Sequence, residues 1–289
     1  MRSTRQFLER RGFLEVLSPV FEPFTDTGVG DAGLFEIDYY GKTYKLMSAL
    51  TIHKPLLVTQ LGNVFSFTPC SRKEPIDHRS TKRHLSQFYQ IEVELEGNCE
   101  KAMSLLERLT RHIINRISLS CREELQLLER KLTSPALPFR RITYHEALEA
   151  QDLGTDANPA GGITWTVEEK LSRHMPAPFF ITRFPTSLSH ERGILYKSDG
   201  DCLLDFDLIM PEGHGEVSSG SERETEYERI AGKIRPDQMD SCRAYLDLLR
   251  SGLKKTSGFG IGVERLTKYL CGLSDISEAS FFPKIPGVA

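Results

Sequence analysis

The sequence has no CxxC pair and no CxxC/HxxxH spacing: its six cysteines, Cys70, Cys99, Cys121, Cys202, Cys242 and Cys271, stand far apart. That scatter argues against a structural zinc site and against a disulfide framework in a chain of 289 residues, and points to a reducing compartment. No apolar run approaches the ~18 residues that a membrane helix needs. The opening Met1-Arg2-Ser3-Thr4-Arg5-Gln6-Phe7-Leu8 is charged and helical in pattern, without the apolar stretch of a secretory signal. The expectation is a cytoplasmic protein with no membrane contact. Excess basic charge is missing too: 37 Lys and Arg against 40 Asp and Glu leave −3, no field for sequence-independent nucleic-acid binding. Finally, no repeat, low-complexity tract or Pro/Gly/Ser linker divides the chain, so residues 1–289 are expected to form one domain.

What is present is an ordinary globular composition, 39% hydrophobic and 27% charged, with enough length for a sizeable core. A helix over 4–11 is stopped by Gly12, and 13–21 reads as a strand with Pro19 near its end, a place for proline at an edge or interface. Residues 22–33 form a polar loop, 34–44 a hairpin around Gly41-Lys42, and 46–60 has helical spacing. Strands over 63–68 and 86–94 flank the basic loop 71–83. Leu105, Leu106, Leu109, Ile113, Ile114 and Ile117 make 102–120 a core-facing helix. Further strands are expected over 179–184, 201–210 and 215–219. Neighbouring strands pairing antiparallel, with helices between distant ones, predict an α+β fold around an antiparallel sheet.

Three constellations carry chemistry. The first is Gly258-Phe259-Gly260-Ile261-Gly262-Val263-Glu264-Arg265, a glycine strand running into a helix. Alternate glycines suit either a structural bulge or a backbone that closes on a planar ligand. Arg265, fixed by the helix, suits polyphosphate oxygens or an ordinary ion pair with a neighbour such as Glu264. The second is Arg72-x-Glu74 with His84 and Phe88 on one hairpin: cationic donors and an aromatic face, as a nucleotide triphosphate needs, although a strand phenylalanine is more often a core residue. Arg72 would meet the α-phosphate, His84 and Arg265 the distal phosphates, and Phe88 the purine. The third pairs Asp207 with Glu216 on adjacent strands, either a solvated sheet edge or ligands for magnesium shared with substrate phosphates. Arg223 beyond them would form a two-point contact with a substrate carboxylate.

These segments resemble class II aminoacyl-tRNA synthetases, over nearly the whole chain. Residues Gly12 to Pro19 are similar to motif 1, Arg72-x-Glu74 through Phe88 to motif 2, and Gly258 to Arg265 to motif 3. Gly215-Glu216-Val217-Ser218-Ser219-Gly220-Ser221-Glu222-Arg223-Glu224 and Phe282-Pro283-Lys284-Ile285-Pro286-Gly287 resemble the aspartyl/asparaginyl branch. Ile52-His53-Lys54, Gly215-Glu216-Val217 and Gly260-Ile261-Gly262-Val263-Glu264-Arg265 look most like the archaeal asparagine synthetases related to asparaginyl-tRNA synthetase.

The resemblance implies that Arg72, Glu74, His84, Phe88, Gly262 and Arg265 bind ATP, that Asp207 and Glu216 hold Mg2+, and that Arg72, Arg265 and Glu216 are the catalytic residues. It further implies that Gln90 and Glu92 hold the substrate's ammonium group, that Arg223 reads its side chain, and that Ser48 and His53 line that pocket. Asp26 and Asp31 fall in the loop that closes over the substrate. Three departures stand out. His53, which titrates near neutrality, stands where aspartyl enzymes have lysine. Gln87 stands where glutamate is usual, and the loop 75–83 is long. The chain also starts at motif 1 with no preceding anticodon-binding barrel. On these grounds the expectation is adenylation of aspartate followed by amidation with ammonia to asparagine, in a homodimer, with tRNA binding unlikely. The alternatives are a truncated aspartyl- or asparaginyl-tRNA synthetase, an amide ligase using another amine, and a non-catalytic paralogue that binds a partner.

Overall fold

The computed structural model describes residues 1–25, 32–150 and 163–288; the expected closing-loop residues Asp26 and Asp31 lie outside them. An eight-stranded sheet forms the framework. Its strands are β1 (Leu14–Glu15), β2 (Val64–Ser71), β3 (Gln87–Glu96), β4 (Arg140–Thr143), β5 (Phe179–Thr182), β6 (Asp205–Met210), β7 (Gly215–Glu222) and β8 (Thr256–Gly262). They lie in the order β1-β2-β3-β8-β7-β6-β5-β4. The six inner strands pair antiparallel, as expected. The two outer pairs, β1 with β2 and β4 with β5, are parallel, so the sheet is mixed rather than purely antiparallel.

Period-two alternation gives the sheet two unlike faces. Phe65, Ile91, Val93, Phe206, Leu208, Phe259 and Ile261 turn to one side, into a core with the long Cys99–Ser120 helix. That helix starts where Asn98 accepts a hydrogen bond from the Lys101 amide, and it buries Leu105, Leu106, Leu109, Ile113 and Ile114, as their spacing predicts. The Arg2–Glu9 helix adds Phe7 and Leu8 to the same core, and the Val263–Cys271 helix adds Leu266, Tyr269 and Leu270. Gly220 belongs to this face; a Cβ there would lie 2.5 Å from the Phe206 ring. Smaller cores close the flanks: Val167 and Leu171 of the Trp165–His174 helix pack on Phe179 and Ile181, and Ile52, Leu195 and Ile230 pack with Tyr245 and Leu246 of the Arg243–Arg250 helix.

Two elements are shorter than their patterns suggest. The strand read over 13–21 forms only at Leu14–Glu15 and Phe21–Glu22, with Pro19 between, because a proline cannot donate to a ladder. The helix read over 46–60 begins only at Lys54. Leu46 and Met47 are extended because their backbone is committed elsewhere: the Met47 amide donates to the Val20 carbonyl, and the Met47 carbonyl accepts from Ser71; a turn from Leu50 to His53 then leads into the helix. The 34–44 hairpin forms as Glu36–Tyr39 and Lys42–Leu46, turning through Tyr40 and Gly41 with positive φ. No described helix is long and apolar enough to cross a membrane.

Candidate active site

The face opposite the main core carries the polar residues, and its centre is β8. Gly258, Gly260 and Gly262 lie in register with Glu94, Glu92 and Gln90 of β3. A Cβ on Gly258 would run into the Glu94 carboxylate and the Val93 carbonyl, and one on Gly260 would come within 3.2 Å of Glu92 Oε2. The glycines therefore make room for side chains of the next strand as well as for a ligand. Above this floor opens a cavity of about 300 Å³. Arg72, Glu74, His84, Phe88, Gln90, Glu216, Gly262 and Arg265 all line it, so residues up to 193 positions apart are brought together as the sequence predicts.

Arg72 leaves the end of β2, and its backbone amide bonds to Ser86 at the start of the return strand. Its guanidinium lies 5.1 Å from the centre of the Phe88 ring and donates to the Ser48 carbonyl at 3.4 Å, while its Nε is buried with no partner. Phe88 is thus a cavity residue, not a core one. Arg265 reaches across to Glu216, Nη1 to Oε2 at 3.1 Å, rather than to its neighbour Glu264, which accepts from the Tyr89 amide. Burial works against the charge on Glu216, but Arg265, Arg83 and Arg192 outweigh it and hold the carboxyl below its usual range.

Sequence reasoning missed Arg83. It lines the same cavity, pairs with Glu168 at 2.9 Å, and has Nε and Nη1 buried without a partner. Gly215, at φ +68°, leaves the space it occupies: a Cβ there would lie 2.8 Å from Arg83 Nη2. The only signal for it was its place in the basic loop beside His84. Lys54 and Arg192 were also missed, and both matter through the pairs they form.

Several expected roles need correction. His84 is no cationic clamp: burial first, then Arg265, Arg83, His78 and Arg72, push it down to about 2, so it is neutral. Glu92 does not face the cavity with a free carboxylate. It is buried, its Oε2 lies 2.6 Å from Lys54 Nζ and its Oε1 accepts from the Leu50 amide. Arg223 is 2% exposed and grips Glu94 at two points, both 2.9 Å, with its third nitrogen on Ser221; it has no fork left for a substrate carboxylate. His53 stands outside the cavity lining, 3.8 Å from Glu22, and burial pushes it down to about 4, so it does not titrate near neutrality. Ser48 is buried behind Arg72, its hydroxyl 3.1 Å from that of Thr25. Of the five residues assigned to the amino acid, Gln90 alone lines the cavity among the described residues.

Asp207 and Glu216 do not share an open coordination site. Both oxygens of Asp207 are taken by Arg192, at 2.7 and 2.8 Å, and the Arg192 Nε holds Asp205 at 2.8 Å. A guanidinium thus stands where the paired carboxylates were expected to hold a cation. Glu216, which faces the cavity, fits a hard cation that arrives with substrate phosphates; Asp207 fits one only if Arg192 lets go.

A mixed sheet with an antiparallel centre, one face on a long helix and the other carrying a glycine-floored, arginine-lined cavity, is the fold of class II aminoacyl-tRNA synthetase catalytic domains. The chain belongs to the tRNA synthetases class II (D, K and N), whose family model matches residues 1–286. It is 32% identical to the asparagine–tRNA ligase of Pelotomaculum thermopropionicum over 98% of this chain and 66% of that protein. It superimposes with TM-score 0.90 and 28% identity on asparaginyl-tRNA synthetase from Pyrococcus horikoshii complexed with asparaginyl-adenylate, covering 100% of this chain and 67% of that one. The Entamoeba histolytica asparaginyl-tRNA synthetase in complex with asparaginyl-adenylate shares the fold, with TM-score 0.84 at 23% identity, over 98% of this chain and 65% of that one. The chain thus spans about two thirds of the length of these relatives. They overturn the expectation of ammonia-dependent asparagine synthesis: these relatives are asparagine–tRNA ligases and asparaginyl-tRNA synthetases. They likewise remove the support for excluding tRNA.

Proposed function

We propose that this chain is the catalytic part of an asparaginyl-tRNA synthetase: it condenses asparagine with ATP to asparaginyl-adenylate and pyrophosphate, and passes the asparaginyl group to tRNA. The observation that carries the reading is a set of three buried guanidinium nitrogens without partners, Arg72 Nε and Arg83 Nε and Nη1, on two arginines that line a glycine-floored cavity. A buried donor with no acceptor is costly, and an anionic ligand supplies the acceptors. Phe88, under the Arg72 guanidinium, offers the adenine a face. Arg72 is placed for the α-phosphate and Arg265 with Arg83 for the phosphates beyond it. In-line attack by a carboxylate then needs positioning and charge stabilisation, not a nucleophilic side chain. Magnesium accompanying ATP would neutralise phosphate charge beside Glu216.

Asparagine is favoured over aspartate because the Pelotomaculum and Pyrococcus relatives, at 32% and 28% identity, are asparaginyl enzymes. A homodimer through the motif 1 region is part of the proposal. Beside the sheet edge at β1, Leu14, Leu17 and Val20 expose 49%, 96% and 61% of their surface, which suits burial against a second copy.

Exchange of labelled pyrophosphate into ATP, run with asparagine and with aspartate, tests the adenylation step, and acylation of total tRNA tests the transfer. Asparagine-dependent exchange is expected. Exchange with neither amino acid would overturn the reading, and exchange with aspartate alone would reassign the substrate.

A further inference from the structure

Glu74, His78 and His84 lie together in the long loop between β2 and β3, each partly buried, with one ligand atom from each within 4.8 Å of the others. Glu74 follows the end of β2, His78 sits on the short 3-10 turn Ile76–Thr81, and His84 comes just before β3. His78 serves no purpose in the ATP reading, although it lines the same cavity.

The proton inventory of the cluster shows what it can bind. An ionised carboxylate only accepts, so the 2.9 Å contact of Glu74 Oε2 with His78 Nδ1 puts a proton on that nitrogen. The single hydroxyl proton of Thr81 is given to the His78 carbonyl at 2.7 Å, so the 2.8 Å contact between Thr81 Oγ1 and His84 Nδ1 needs a proton on Nδ1. A neutral imidazole carries one N–H, so a proton on Nδ1 leaves Nε2 as the lone pair. A ring held through Nδ1–H with Nε2 free is the arrangement that outer partners impose on a metal-bound histidine. Glu74 and His78 already stand at the spacing of two adjacent donors on one ion: with bonds of about 2.1 Å, donors 2.9 Å apart subtend roughly a right angle. An ion bound through His78 Nδ1 displaces the proton from that nitrogen, to Nε2 or to solvent. The three ligand atoms, all within 4.8 Å of one another, must draw in to roughly 3–3.5 Å to complete the set.

We propose that Glu74, His78 and His84 form a site for a divalent transition-metal ion of the zinc or cobalt kind, and that the ion competes with ATP. Two imidazoles and one carboxylate suit such an ion better than magnesium, which prefers all-oxygen ligands. The nearby guanidiniums oppose any cation, but Arg83 is balanced by Glu168 and Arg265 by Glu216. The competition, though not the metal site itself, rests on the proposed ATP-binding function, since Glu74 and His84 line that cavity.

Cobalt(II) titrated into the full chain and followed by visible absorption tests this. One ion per chain is expected, with the intense bands of a four- or five-coordinate site. His78→Phe, which keeps a ring beside His84 and removes the ligand, should weaken binding at least tenfold while far-UV circular dichroism stays unchanged. ATP without magnesium should raise the apparent cobalt dissociation constant, after correction for cobalt bound by free ATP. No bands beyond those of aqueous cobalt, or equal binding by His78→Phe, would overturn the metal site. His78-dependent binding that ATP leaves unaltered would sustain the site and overturn the competition. Whether asparagine-dependent pyrophosphate exchange occurs with magnesium and without added transition metal is a separate readout, and it decides the ATP reading alone.

Discussion

At the scale of single residues, the site is governed by which charges are already paired. Arg72 retains a buried Nε with no partner and makes one long bond, to the Ser48 carbonyl, which would let it answer the charge that develops on an α-phosphate. Arg72→Ala should lower asparagine-dependent pyrophosphate exchange by about 10²–10³-fold, the usual loss when one placed donor is removed, with thermal stability little changed. Lys54 is the opposite case. Its ammonium lies 2.6 Å from Glu92 and 3.6 Å from Glu94 and donates to the Val93 and Phe259 carbonyls, all out of water. Lys54→Met would leave two carboxylates sharing the single cation Arg223, at a cost of about 3–5 kcal/mol. Urea unfolding should show a lower midpoint with an unchanged slope; an unshifted midpoint would mean that the network adds nothing to stability. His53, Arg72 and Phe88 could be singled out in the sequence because their types are unusual for their surroundings. Lys54 beside His53 could not be assigned, because a lysine's partner depends on a strand 38 positions away.

At the scale of elements, β8 shows why three glycines alternate. Two readings were open in the sequence, a structural strand and a ligand floor, and the structure gives the glycines different surroundings. Gly258 makes room for Glu94, which must sit there to pair with Arg223, while Gly262 lies on the cavity. Gly258→Ala should therefore destabilise the fold by about 3 kcal/mol through overpacking against a carboxylate and a strand backbone that cannot easily retreat. Chemical denaturation would measure it. The strand pair β2 and β3 was readable from alternation alone, and so was the Cys99–Ser120 helix from its apolar stripe. The non-helical segment before Lys54 was not: its residues have helical spacing, yet hydrogen bonds of Met47 with Val20 and Ser71, both distant in sequence, hold its start extended.

At the scale of the whole molecule, burial sets the pH response. Burial pushes His53 down to about 4, His84 to about 2 and His214 to about 3, all below the ordinary value near 6.5. Between those folded values and 6.5 the unfolded chain binds more protons, so these groups make stability rise with pH and fall on acidification from pH 7. Carboxyls raised by burial, such as Glu22 and Glu264, act with the opposite sign. His214 isolates the histidine contribution, since its ring packs edge-on against Tyr269 and a phenylalanine can do the same. The melting temperature of His214→Phe should fall less between pH 7 and pH 5 than that of the parent; parallel curves would refute it. The sequence by itself determined the α+β class, the family and eight of the residues that line the cavity, because periodicity and glycine placement are local and the motif residues are carried on single hairpins. Only the tertiary structure decided which charged groups remain available. Glu92, Arg223 and Asp207 match the pattern of ligand contacts, but each is spent on a partner from another part of the chain, and ion pairing in a low-dielectric interior is set by distances in space.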